Sequence, residues 1–415
     1  MTKVNICGEL AFLDKSSLNW IPLSDECFQR MNKKTPLDED AKKQIHLARS
    51  RVQEMLASAL MLPNLNFLAG SGASLGKVCG PSMNDLWKKC MWIDPDSKQG
   101  EDNFGVLHKS AKQVFNKVKY NPEGSPNIEH FLSYCEAFLQ FNDDKETLDY
   151  VRDVKETIIF ECTDFLESDK SDMSAYHGLL QKLARRRVRD PRLKVFTTNY
   201  DMCFETAASD LGIMVIDGLS YTGKRKFNGK YFNYDVVRRD QDSHEFVEGI
   251  FKLYKLHGSV SWARVQNAII ESKNVEPDNV AMIFPAKGKY QQAFLQPYLE
   301  LLSRYLESLR ESNNCLIISG FGFNDDHLSE PIVSAVTSNP SFKLIIADFN
   351  AHEFITNVDK TNPYWAKLFD LASRGYDISF INGTFDDFVS LLPNLKAISP
   401  AEQLVNALKQ NGLGY

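Results

Sequence analysis

Five short segments of the 415-residue chain put glycine or polar residues where chemistry could be done. Gly70-Ser-Gly-Ala-Ser-Leu-Gly76 follows an apolar run, Asn64-Leu-Asn-Phe-Leu-Ala69. Glycines in such a turn let backbone approach a pyrophosphate and aim amide N–H groups at it. The third glycine falls one place later than in G-x-G-x-x-G, so an ordinary glycine turn after a strand is the competing reading. Thr197-Thr-Asn-Tyr-Asp201 follows a second apolar run. Either Asn199 holds a ribose or an attacking water by its amide, or Asn and Asp simply open a helix. His257-Gly258-Ser259 ends a third run with an imidazole, able to move a proton near neutral pH, beside a glycine that leaves room for a ligand. A structural histidine at a strand end is the alternative. Ser319-Gly-Phe-Gly-Phe-Asn-Asp-Asp326 is a second glycine-bearing turn, with Asp325 or Asp326 suited to cap a helix at 327–337. Asp348 and Asn350 follow a further run and are placed either to hold ribose hydroxyls or to begin a turn.

The surrounding elements must aim these segments at one place. Apolar spacing predicts an amphipathic helix from Asp38 to Leu62, closed by Pro63, and then a strand at 64–69. Residues 82–190 have few β-branched runs and several helical periodicities, which reads as a helical insertion. Strands are predicted at 193–198, 213–216, 251–256, 315–319, 342–347 and 377–381, with helices near 203–211, 289–311, 327–337 and 385–392. Residues 219–265 alternate like β structure, with Asn228-Gly229 as a two-residue hairpin turn. Apolar strands alternating with helices imply an α/β fold with a doubly wound, Rossmann-like, mostly parallel sheet. Chemistry then clusters after the strands at 74, 199, 257, 320 and 350, and such sheets bind ligands outside the carboxyl ends of their strands. The expected organisation is an N-terminal extension (1–60), a Rossmann domain (61–92 and 191–395), the helical insertion (93–190) and a C-terminal tail (396–415).

Composition excludes several classes. Hydrophobic residues at 43% and charged residues at 25% are ordinary globular values. A net charge of −6 gives no global electrostatic reason to bind nucleic acid or an anionic membrane. No apolar run approaches the ~20 residues needed to span a bilayer, and the first residues lack a signal-peptide pattern, so a cytoplasmic protein is expected. Eight scattered cysteines form no Cys-x-x-Cys pair, which argues against a zinc ribbon and predicts no metal. The basic cluster of Lys182, Arg185, Arg186, Arg187, Arg189, Arg192 and Lys194 reads as cations at a helix C-terminus. A patch for an acidic partner is the alternative.

Taken together, the segments resemble the sirtuin family, in the divergent bacterial branch of anti-phage defence. Gly70-Ser-Gly-Ala-Ser74 is similar to that family's Gly-Ala-Gly-x-Ser loop, Thr197-Thr-Asn-Tyr-Asp201 to its Thr-Gln-Asn-x-Asp motif, and His257-Gly258 to its His-Gly. Gly320-Phe-Gly-Phe-Asn-Asp-Asp-His327 and Asn127-Ile-Glu-His-Phe-Leu132 resemble the divergent branch. The likeness runs over roughly residues 60–395. It departs from deacylating sirtuins in lacking a four-cysteine zinc module and in reading Gly80-Pro-Ser-Met-Asn-Asp85 after the glycines.

The resemblance implies an NAD glycohydrolase with NAD as substrate. It places Asn199, His257 and Asp201 at the reacting centre, and Gly70, Ser71, Gly72, Ser74, Thr198, Ser319, Gly320, Phe321, Asp348 and Asn350 around the nucleotide. It also implies a HerA-type hexameric ATPase as partner and a large homo-oligomeric ring, with contacts from residues 1–60, and no direct nucleic-acid contact. A protein deacylase and a non-catalytic nucleotide-sensing scaffold are the competing functions.

Overall fold

The computed structural model describes residues 5–33, 36–92, 109–121, 127–187, 189–239, 244–283, 296–357 and 362–394. Strands β1 (Ala11–Asp14), β2 (Asn19–Pro22), β3 (Asn64–Ala69), β4 (Leu193–Thr197), β5 (Val215–Ile216), β6 (Val237–Arg239) and β7 (His244–Phe246) come first in the chain. They are followed by β8 (Phe251–Lys255), β9 (Gly258–Val265), β10 (Ala268–Glu271), β11 (Val280–Met282), β12 (Asn314–Ser319), β13 (Phe342–Asp348) and β14 (Ile378–Asn382). Nine strands form one sheet in the order β2-β1-β14-β13-β12-β3-β4-β8-β5, parallel from β14 to β5 and antiparallel at β1 and β2.

Alternation along the strands divides the core. In β3, Leu65, Phe67 and Ala69 face one side of the sheet and Leu68 the other. Cys315 and Ile317 of β12 join the first side, while Leu316 and Ile318 join the second. Helices α1 (Asp25–Asn32), α2 (Glu39–Leu60), α3 (Met83–Met91), α4 (Lys109–Val118), α5 (Ile128–Leu139), α6 (Lys145–Asp164), α7 (Ser174–Leu183) and α8 (Cys203–Asp210) precede α9 (Tyr298–Arg310). The last are α10 (Asp326–Ser338), α11 (Ala351–Thr356), α12 (Pro363–Ser373) and α13 (Phe385–Leu391). Residues of α2, α7, α8 and α13 fill one core, and residues of α9 to α12 fill the other. Helices on both faces of a parallel sheet make this a doubly wound, Rossmann-type fold.

The first strand in the parallel run, β3, lies between β4 on one side and β12 on the other. Winding therefore reverses at β3 and β12, and the loops after them meet at the topological switch point where such sheets bind ligands. A pair of buried amides marks this seam: Asn66 donates to Asn314 at 2.6 Å, and Asn314 donates to the Ser308 carbonyl at 2.5 Å. A third core joins α3 to α6 with Tyr200, Val260 and Met282, so the helical unit leans on the strand ends.

Several expectations shift. Residues 11–22 of the N-terminal extension pair into the sheet edge, and α2 contributes Val52, Leu56, Ala59 and Leu60 to its core. Within the span of the helical insertion, α7 packs on the sheet with α8 and α13. Asn228-Gly229 is no hairpin turn: Asn228 has φ of −154°, where that turn needs positive φ, and its side chain caps a short 3-10 helix at Gly229–Asn233. The helix expected from 289 begins, among described residues, at Tyr298, and 289–295 lie outside them. The tail at 396–415 also lies outside the described residues. The basic cluster is largely committed: buried Arg186 donates to the carbonyls of Leu60, Leu62 and Pro63 at the end of α2, and Arg192 pairs with Asp235.

Candidate active site

The loop after β3 and the loop after β12 are packed backbone on backbone. Gly70 N–H donates to the Ser319 carbonyl and Gly72 N–H to the Gly320 carbonyl, each at 3.0 Å. A Cβ on Gly70 would touch the Gly320 carbonyl, and one on Gly320, at φ +63°, would touch Ala73 and Gly72. The glycines expected to present amides to a diphosphate thus spend two of those amides on loop–loop contact. Ser71 and Gly76 are the exposed residues of that turn. Phe321 is buried, with its ring 5.2 Å from that of Phe323 in an edge-on contact.

Ser74 is the hub of the site. Its hydroxyl donates to Asp201 Oδ2 at 2.7 Å, while Asn199 Nδ2 and the Tyr176 hydroxyl lie 2.9 Å away. Once the hydroxyl proton goes to the carboxylate, Ser74 must accept from Asn199, which fixes the amide orientation. The atom left over is Asn199 Oδ1, buried and without a partner among the described residues. Asp201 Oδ1 also accepts from the N–H of Cys203, the first residue of α8, at 3.1 Å. Thr198 donates its N–H to the Ala69 carbonyl at 3.1 Å, tying this loop to β3.

Lysine 255, the last residue of β8, was not singled out in the sequence. Its buried ammonium donates to the Asp201 carbonyl and, at 3.0 Å, to Glu205 Oε1. A lysine within an apolar strand and two places before His257 was the signal available.

His257 sits just beyond β8 and is 3% exposed. Its Nε2 has no hydrogen-bond partner among the described residues, and burial pushes the imidazole down to about 3, so the ring is neutral near pH 7. Gly258, at φ +90°, brings this turn against the Ala281 carbonyl, where a Cβ could not fit. The nearest carboxylate is Asp325 Oδ2 at 4.0 Å, and the His327 ring centre lies 5.8 Å away. Burial raises Asp325 to about 6, against the pull of His327. From α5, Glu129 reaches the Tyr200 hydroxyl at 2.9 Å, and burial with the nearby Asp325 charge pushes it up to about 8.

At the far end, Asp348 Oδ1 accepts from the Asn350 N–H at 2.8 Å, and burial raises Asp348 to about 6. Asn350 Oδ1 lies 2.5 Å from Cys7 Sγ, so the N-terminal segment occupies that amide. Ser319 is buried at the end of β12. The structure therefore brings Ser74, Asn199 and Asp201 into direct contact, sets His257 at the end of β8 beside β4, and leaves Asp348 and Asn350 at the β13 end.

Residues 193–366 match the SIR2-like domain family. That span carries Asn199, Asp201, His257, Asp325, Asp348 and Asn350, while the glycine loop at 70–76 lies before it. The match supports a sirtuin-like protein. No curated relative matches the chain. Among solved structures, a Sir2 homologue–NAD complex is 15% identical, over 86% of this chain and 94% of that one, with a TM-score of 0.38. A Sir2 homologue mutant in complex with 2'-O-acetyl ADP ribose is 13% identical, over 88% and 98%, with a TM-score of 0.38. The fold class rests on the strand order itself. Among the described residues, no group of three or more His, Cys, Asp or Glu could hold a metal ion, and no helix is long and apolar enough to cross a membrane.

Proposed function

We propose that the chain is an NAD glycohydrolase that releases nicotinamide and ADP-ribose. One observation carries this reading: the ends of the adjacent strands β4 and β8 hold two buried polar atoms without a hydrogen-bond partner among the described residues, Asn199 Oδ1 and His257 Nε2. Leaving such atoms unpaired is costly unless a ligand completes them. The SIR2-like match and the naming of NAD in a similar solved structure support the choice of ligand.

The chemistry asks little of the site. Nicotinamide in NAD is a cationic pyridinium and leaves as a neutral molecule, so no acid need protonate it, unlike the leaving group of ordinary glycosides. What remains is to hold the ribose, stabilise an oxocarbenium-like transition state and deliver water. Asn199, locked by Ser74, presents its carbonyl oxygen to a ribose hydroxyl or to the water. Neutral His257 accepts the proton released. Asp201 and Lys255 fix the Asn199 loop. Ser71, Thr198, Ser319, Gly320, Asp348 and Asn350 frame the diphosphate and adenosine side.

The resemblance of the sequence motifs extends the proposal to NAD depletion in anti-phage defence, in a complex with a HerA-type ATPase and as a homo-oligomeric ring. The test is nicotinamide release from NAD, followed by chromatography, alone and with such an ATPase, beside Asn199→Ala and His257→Ala. Loss of a proton-transfer group should lower turnover by about 10²–10⁴-fold. Wild-type turnover retained by both variants would end the assignment. Bound NAD with no release in any condition would favour the sensing scaffold.

A further inference from the structure

Asp325 is not explained by its place at the start of α10. It occupies the N-cap position, yet its side chain makes no capping hydrogen bond. Its carboxylate has no hydrogen-bond partner among the described residues, and one oxygen stands 4.0 Å from His257 Nε2, which has none either. The two residues come from strands three places apart in the sheet, β12 and β8, so the loop leading into α10 crosses the ends of β3 and β4 to make this approach.

A gap of 4.0 Å is too long for a direct hydrogen bond and too short for an in-line bridge. It suits one water set to the side. At about 2.8 Å from both atoms, its two O–H bonds would open at roughly 90°, close to water's own angle. The Asp325 side chain is 18% exposed and that of His257 4%, so water can arrive from the carboxylate side.

We propose that Asp325 is a second catalytic residue of the hydrolytic step: it accepts one O–H of the attacking water while His257 Nε2 accepts the other. This rests on the NAD-cleavage reading above. As the bond between ribose C1′ and nicotinamide breaks, its electron pair goes to the pyridinium nitrogen, and nicotinamide leaves neutral. The water oxygen forms the new bond to C1′, and the proton it releases passes to the Asp325–His257 pair that holds the water. Glu129, Tyr200, Asp326 and His327 are the other titratable groups facing this point. Glu129, on the helical unit, holds its proton at neutral pH and so leaves Asp325 the ionised carboxylate of the pair.

The decisive measurement compares two outputs of one enzyme: hydrolysis of NAD, and exchange of labelled nicotinamide into NAD, which needs bond cleavage and no water. Both are read under the condition in which the wild type releases nicotinamide. Asp325→Asn should lower hydrolysis by about 10²-fold and leave exchange within a few-fold, so that the exchange-to-hydrolysis ratio rises. Its hydrolysis should also lose the acid limb of the pH profile that Asp325 sets. Asp325→Ser, which places another residue suited to the helix N-cap there, should behave alike without a lower melting temperature. Equal loss of both outputs, or unchanged hydrolysis, would overturn the role of Asp325. Failure of the wild type to cleave NAD at all would instead overturn the underlying reading, and this proposal with it.

Discussion

Gly70 and Gly320 meet so closely that a methyl group on either would overlap the other loop's backbone. This contact joins the loops after the two central strands at the point where the winding of the sheet reverses. Gly320→Ala should therefore destabilise the fold by well over ~1 kcal/mol, since it adds both overlap and a side chain at positive φ. Gly76 also has positive φ, +71°, but nothing within 4 Å of a Cβ, so Gly76→Ala should cost only the backbone strain, about 1 kcal/mol. Urea unfolding of the two variants separates crowding from conformation.

Ser74→Ala removes the acceptor for Asn199 and the donor to Asp201 in one step. Unpairing buried groups of this kind costs about 1–3 kcal/mol. Nicotinamide release should fall further than stability does, because the Asn199 amide is then free to rotate. Turnover and melting temperature measured on the same preparation would show whether the two losses part.

Lys255 and Glu205 form an ion pair at 3.0 Å, with the lysine buried and the glutamate 20% exposed. Breaking such a pair from one side costs about 3–5 kcal/mol, whereas replacing both partners with apolar groups is often tolerated. Lys255→Met should destabilise strongly, and Lys255→Met with Glu205→Leu should recover much of the loss. If the double variant melts no higher than the single one, the lysine acts mainly through the Asp201 carbonyl.

His257 and Glu129 impose opposite pH dependence on stability. His257 is lowered from 6.5 to about 3, so its contribution is whole above pH 6.5 and falls as pH drops toward 3. Glu129 is raised from 4.5 to about 8, so its contribution is whole below pH 4.5 and falls as pH rises toward 8. Each unit within those windows is worth about 1.4 kcal/mol. Glu129→Gln should melt higher than the wild type at pH 8 and not at pH 4.5, which thermal scans across that range would reveal.

Much of this was legible in the sequence, because strand-end motifs are local. The apolar runs at 64–69, 193–198 and 315–319 announce parallel strands, and the residues after them announce loops at one edge. Asn199 and His257 were legible as residue types, but their isolation from other partners was not, since that depends on what the fold brings near. The partners of Phe321 and of the Gly70 amide, Phe323 and Ser319, were not legible either, because packing at the switch point sets them. Asp325 or Asp326 reads as a cap because capping is a local habit, but the Asp325 side chain makes no capping hydrogen bond. The Asn228-Gly229 pair obeyed a short-range rule that its tertiary setting overrode.

The buried Asn66–Asn314 amide pair carries a consequence for how the chain acquires its shape. The two partners are 248 residues apart in sequence, and they sit on strands paired at the heart of the sheet. During synthesis at about 5–20 residues per second, β3 would wait well over ten seconds for that neighbour, with one edge and one polar amide unsatisfied in the meantime. Contacts of such long range slow folding and leave strand edges open to wrong pairing. A transient chaperone requirement, concentrated on nascent chains that stop short of β12, is what this topology leads one to expect.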